Sequence, residues 1–126
     1  MQCAPKTVAY LSLIRLLLTK GAQIDAVDNK GRTALMLSSG YGHIETVSLL
    51  LNCGAKIDAL DHEGYTALIW ASNRGSKDAA EVLLDKKAEI DATDKEGRTA
   101  LMWSSINDHI EVVKLLLSKK AKIDAT

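Results

Sequence analysis

The sequence predicts an all-α solenoid, in which antiparallel helix pairs stack side by side and turns project from one edge. Two observations predict it. The string from Gly31 to Ala59, GRTALMLSSGYGHIETVSLLLNCGAKIDA, returns from Gly64 as GYTALIWASNRGSKDAAEVLLDKKAEIDA and from Gly97 as GRTALMWSSINDHIEVVKLLLSKKAKIDA, an interval of 33 residues. A fixed interval of that size marks stacked copies of one unit. Each copy also holds two short apolar segments, and a pair that small buries its apolar side only against neighbours.

The full copies run Asp28–Leu60, Asp61–Thr93 and Asp94–Thr126, after a truncated copy at 1–27, and together they form one domain over 1–126. The stretch VAYLSLIRLLL, Val8 to Leu18, has the look of a signal-peptide core. Arg15 interrupts it, however, and it is too short to span a bilayer. Register accounts for it better: adding 33 to Leu11, Ile14, Leu17 and Leu18 gives Ile44, Val47, Leu50 and Leu51. Pro5 aligns with Ser38, inside what should be a first helix, so residues 1–7 are expected to form no proper cap.

Each full copy opens with Asp-x-x-Gly (DNKG, DHEG, DKEG), a turn signal in which Gly takes positive φ without steric cost. Thr33, Thr66 and Thr99 stand where a hydroxyl can cap the first free amides of a helix. That helix should be about two turns long, and its small residues (Ser38–Ser39, Ala71–Ser72, Ser104–Ser105) let neighbouring helices approach closely. In the last copy Ile110, Val113, Leu116 and Leu117 give the second helix its apolar period, with Glu111 and Lys114 able to pair on the outer side. Gly54-Ala55 then ends the helix with a left-handed cap, and Ile24, Ile57, Ile90 and Ile123 anchor the loop that follows.

In these residues the chain resembles the ankyrin repeat family, whose motif is close to T-P-L-H-x-A. Here it stands as Thr33-Ala34-Leu35-Met36, Thr66-Ala67-Leu68-Ile69 and Thr99-Ala100-Leu101-Met102, followed by Gly42-His43 and Leu50-Leu51-Asn52-Cys53-Gly54-Ala55. The likeness covers essentially the whole chain. The family's Pro is replaced by Ala and its His by Met or Ile, which removes a typical hydrogen-bond ladder. Gly42 becomes Asp108 in the last copy. The cap Gly becomes Lys87 and Lys120, at up to about 1 kcal/mol each if the position stays left-handed; lysine near a helix C-terminus recovers part of that.

Composition excludes several functions. Sixteen basic and sixteen acidic residues cancel, so nothing steers the chain to nucleic acid or anionic lipid. Cys3 and Cys53 lie in no CxxC or Cys/His spacing, which argues against structural zinc and for free thiols in a reducing compartment, cytoplasmic or else nuclear. His43 and His109 are two copies apart, too far to share an ion, and are read with His62 as local loop or capping groups. The aligned acids Asp25, Asp58, Asp91 and Asp124, and Asp28, Asp61 and Asp94, read as turn formers bonding nearby amides. No nucleophile motif or phosphate loop occurs, so neither an enzyme nor a cofactor is expected.

The resemblance implies a protein or peptide partner on the concave face made by turn tips and first helices. By register those positions are Asn29, Lys30, Arg32, Leu37, Gly40 and Tyr41; His62, Glu63, Tyr65, Trp70, Asn73 and Arg74; and Lys95, Glu96, Arg98, Trp103, Ile106 and Asn107. They vary most between copies, and they hold four of the five aromatic residues. Trp, Tyr and Arg are enriched at binding hot spots. Trp70 and Trp103 could equally extend the core where Leu37 stands, whereas Tyr65, Arg32 and Arg98 read as surface groups whose loss should little affect stability. A structural spacer, or an engineered consensus-like repeat protein, are the competing readings. Val112, Val113 and Trp103 make the last copy more apolar than its neighbour, which points to continuation into further repeats or end-to-end self-association.

Overall fold

The computed structural model describes residues 23–121. Pro5, the signal-like stretch and most of the truncated copy lie outside these residues. Three helix pairs follow one another: α1 (Ala34–Gly40) with α2 (Ile44–Asn52), α3 (Ala67–Arg74) with α4 (Lys77–Asp85), and α5 (Ala100–Ile106) with α6 (Ile110–Ser118). No strand occurs among the described residues, and the all-α solenoid is the architecture observed.

Each first helix starts where its threonine stands. The hydroxyls of Thr33, Thr66 and Thr99 accept from the amides of Met36, Ile69 and Met102 at 3.2, 3.1 and 3.2 Å. Replacing such a cap with Ala costs about 1 kcal/mol. In the first copy the Thr33 amide donates back to Met36 Sδ at 3.4 Å, closing a reciprocal box in which a thioether is the acceptor.

The first helices pack on one another more extensively than the second helices do, so the stack curves with α1, α3 and α5 on its concave side. Small residues make that approach feasible: Ser39, Ala71, Ser72 and Ser104 are wholly buried. The Ser39 and Ser72 hydroxyls find no hydrogen-bond partner. Their burial is unfavourable on its own, but a larger side chain would hold the helices apart. Leu35, Leu68, Ile69, Val47, Leu83 and Leu116 fill the continuous core between the layers.

The left-handed cap survives the loss of its glycine. Gly54 has φ 95°, and Lys87 and Lys120 take φ 74° and 73°. In all three copies the next amide reaches back to close the helix end: Ala55 to Leu50, Ala88 to Leu83 and Ala121 to Leu116, each at 3.0 Å. Asp108 likewise adopts positive φ, 63°, in the slot of Gly42 and Gly75.

The buried side of α6 differs from the expected one. Val112, Leu115 and Leu116 are buried, whereas Ile110 and Leu117 are 57% and 44% exposed. Two directions of burial exist on a second helix, one toward its own repeat and the preceding one, the other toward the following one. The Ile110–Val113–Leu117 side faces the latter, where no described helix stands. Val112 therefore belongs to the core, not to an apolar outer face.

Repeats are joined by polar bonds as well as by packing. The Asp25 carboxylate accepts from the Lys56 amide at 2.9 Å and Asp58 from the Glu89 amide at 3.0 Å. For Asp25 and Asp58 this corrects the reading as local turn formers: their side chains reach the next repeat, while Asp124 lies outside the described residues. Turn tips are bonded in the same direction, His62 N to Lys30 O at 3.0 Å and Lys95 N to Glu63 O at 3.2 Å. Gly64 permits the second bond, since a Cβ there would stand 2.9 Å from the Lys95 amide nitrogen.

Candidate partner-binding face

The concave face is built outward from three turn aspartates. Asp28, Asp61 and Asp94 each fold a turn onto one carboxylate oxygen, which accepts two amides: Lys30 and Arg32, Glu63 and Tyr65, Glu96 and Arg98, all at 2.9 Å. Here the sequence reading of Asp as a turn former holds. The second oxygen orients the face. Asp28 takes Arg32 Nε at 2.8 Å, Asp61 takes the Trp70 indole N–H at 3.0 Å, and Asp94 takes both Arg98 Nε and the Trp103 indole, at 3.0 and 2.9 Å.

Electrostatics follow from these bonds. The Arg32 amide is the largest influence on Asp28 and holds its carboxyl below the ordinary range. Burial pushes the Asp94 carboxyl up, but the Arg98 amide, the Trp103 indole, the Arg98 guanidinium and the Glu96 amide together outweigh it and leave it lowered. Burial also pushes the Tyr65 hydroxyl up, against the opposing charge of Arg98.

Aromatic and guanidinium groups then run without a break across the three repeats. Arg74 Cζ lies 5.2 Å from the Tyr41 ring centroid and 5.9 Å from that of Trp70. The Tyr65 ring stands edge-on to Trp70 at 6.3 Å and to Trp103 at 5.8 Å. Arg98 Cζ sits 4.4 Å from the Trp103 centroid. A groove of about 350 Å³ opens between the first two turns, lined by Lys30, Arg32, Asp61, His62, Glu63, Tyr65 and Trp70.

Most of the sequence-derived site residues are thus contiguous. Asn73 and Asn107 join the same surface, where Asn107 Nδ2 donates to the Asn73 carbonyl at 3.0 Å. Asn29, Lys95 and Glu96 are exposed at the turns. Three expectations need revision. Arg32, Tyr65 and Arg98 are half-buried, and the two arginines brace their own turns through ion pairs with Asp28 and Asp94. The tryptophans are half-buried too and pack against the core with their N–H groups satisfied, so the core-extending role, one of the two the sequence left open, is the one observed. Nor is His109 a local cap. It makes no capping bond, and its Nε2 lies 3.0 Å from the Asn73 carbonyl of the preceding repeat. A carbonyl only accepts, so Nε2 carries the proton. Ser76, in the same slot, makes the equivalent bond to Gly40 O at 3.0 Å.

Asp61 and Asp94 were missed as members of the face. Their spacing from the tryptophans, nine residues in both copies, was the available signal. Cys53 carries a free, exposed thiol. Among the described residues no group of three or more His, Cys, Asp or Glu is placed to hold a metal ion, and no helix is long and apolar enough to cross a membrane.

Stacked helix pairs, projecting turns and a curved face of aromatic and charged groups define a helical-repeat protein. The family description "Ankyrin repeats (3 copies)" matches residues 1–94 and 58–126, and the chain belongs to the ankyrin repeat family. Its members are generally protein–protein interaction modules. A search of curated proteins found no match.

Proposed function

We propose that this chain is a non-enzymatic interaction module that binds a protein or peptide partner on its concave face, in a cytoplasmic or nuclear setting. Its units are the truncated copy 1–27 and the repeats 28–60, 61–93 and 94–126. The observation that carries the reading is the unbroken run Tyr41, Arg74, Trp70, Tyr65, Trp103, Arg98, which leaves Tyr41 62% exposed and Arg74 exposed. Side chains of these types carry most of the binding energy at protein interfaces.

Affinity capture with paired variants tests it. Tyr41→Ala/Arg74→Ala should release the captured protein, while Glu45→Ala/Ser48→Ala/Lys114→Ala on the second helices should retain it. The reverse pattern would place the partner on the other side of the solenoid and refute the concave-face assignment.

A second reading concerns the last helix pair. Ile106, Ile110 and Leu117 are 64%, 57% and 44% exposed there. The corresponding side of α3 and α4 is covered by α5 and α6. A further helix pair of the same kind, in this chain or a second copy, suits that side. Light scattering over a concentration series should then show association, or an appended repeat should raise stability. A strict monomer that gains nothing from the added repeat excludes both.

A further inference from the structure

One guanidinium in the middle of the concave face has no acid of its own. Arg32 and Arg98 are tied to Asp28 and Asp94. Arg74, at the end of α3, is exposed and held between the rings of Tyr41 and Trp70; among the described residues it makes no ion pair and no side-chain hydrogen bond. The helical floor around it carries no carboxylate. The first helices read ALMLSSG, ALIWASNR and ALMWSSI, and Arg74 is the single charged residue in all three. At the turn tips, by contrast, Lys30 and Lys95 alternate with Glu63 and Glu96, which leaves no net cationic surface there.

We propose that the concave face takes an extended, acidic segment of a protein partner, with one Asp or Glu carboxylate on Arg74 and a large apolar side chain in the groove beside Trp70 and Tyr65. This rests on the concave-face reading and specifies its partner's chemistry. A guanidinium packed against rings keeps its N–H donors, which lie in its own plane, for a carboxylate fork. The two rings also restrict its rotamers before binding, so less order is lost when the carboxylate arrives. A phosphorylated segment fits less well, because phosphate recognition relies on clustered cations and the neighbouring arginines are already paired. The groove, about 350 Å³ and walled by Trp70 and Tyr65, shares Trp70 with the Arg74 clamp. An acidic residue and an apolar residue close together in one strand therefore reach both.

Selection of short random peptides displayed against the whole chain tests the proposal. Enriched peptides should carry Asp or Glu close to an aromatic or large aliphatic residue. Fluorescence anisotropy with a labelled winner should show a loss of about tenfold to a hundredfold in affinity for Arg74→Gln, with the thermal midpoint unchanged because Arg74 is exposed. Selection against Arg74→Glu should favour Lys or Arg instead. Peptides without acidic bias, or ones that bind Arg74→Gln as well as the parent, overturn the proposal, as does a selection that enriches nothing. If such acid-free peptides still lose affinity for Tyr41→Ala, the concave-face reading survives. If they bind Tyr41→Ala and Trp70→Ala undiminished, both readings fall.

Discussion

Trp70 and Trp103 hold the same place in successive repeats, and each donates its indole N–H to the aspartate that opens its own turn. Their surroundings differ. At the junction of the second and third full repeats, Tyr65 stands edge-on to Trp103 and Arg98 covers it at 4.4 Å. At the junction of the first and second, the residue in the slot of Tyr65 is Arg32, and it is drawn away to Asp28. A groove opens there in place of a packed ring. One turn residue thus decides whether a junction is closed by its own side chains or left open as a groove.

The largest expected effects lie in the aspartates beneath these junctions. Asp94 satisfies four donors with its side chain buried, whereas Asp28 satisfies three with its side chain one-third exposed. Asp94→Ala should cost about 2–3 kcal/mol in urea unfolding, since buried donors left unpaired carry their full desolvation penalty. Asp28→Ala should cost clearly less, and equal losses would break the comparison. Acid sensitivity sharpens it. Both carboxyls lie below the ordinary 3.8, so the stability they confer is fully present above that value and is lost as pH falls through their lower folded values. The melting temperature should decline steeply below about pH 4, and Asp94→Asn should flatten that decline.

Next comes Tyr65, which contributes to both junctions. Tyr65→Ala removes two edge-on contacts, each worth about 0.5–1.5 kcal/mol, so a loss of about 1–3 kcal/mol is expected by thermal melting. A change within 0.5 kcal/mol, the usual range for a surface site, would return it to the surface role expected from sequence.

The smallest change in stability should come from converting the open junction into the closed one. Arg32→Tyr exchanges a partly exposed ion pair worth about 0–1 kcal/mol for an aromatic contact of about 0.5–1.5 kcal/mol, leaving stability within about 1.5 kcal/mol. Access to Trp70 is the informative readout. In a Trp103→Phe background, iodide quenching of Trp70 should fall when tyrosine fills the groove. Unchanged quenching would mean that Arg32 does not keep the groove open.

The fold was legible because its cause is periodic: helix caps, small residues and apolar slots recur at one spacing, and each recurrence constrains the next. What escaped was whatever depends on the partner across a junction. Asp25 and Asp28 are three residues apart and both look like turn formers, yet one bonds an amide in the next repeat and the other bonds its own turn. Periodicity alone cannot separate a bond made two residues away from one made 31 residues away, because both repeat identically. The same limit affected Arg32 and Arg98, whose positions are variable between copies but whose side chains brace the turns that carry them. On α6 the apolar period was right but not the side buried, since that is set by where the neighbouring helices stand.

Several bonds between repeats share one property: one of the two partners is a main-chain group. Asp58 meets the Glu89 amide, Ser76 the Gly40 carbonyl, His109 the Asn73 carbonyl, and Lys95 N the Glu63 carbonyl. Each is the same backbone atom whatever side chain its residue carries. A duplicated or transplanted unit of 33 residues would therefore find these main-chain donors and acceptors in place, whatever side chains their residues carry. Concave-side slots that touch nothing across a junction can diverge by point mutation while these main-chain joints stay intact.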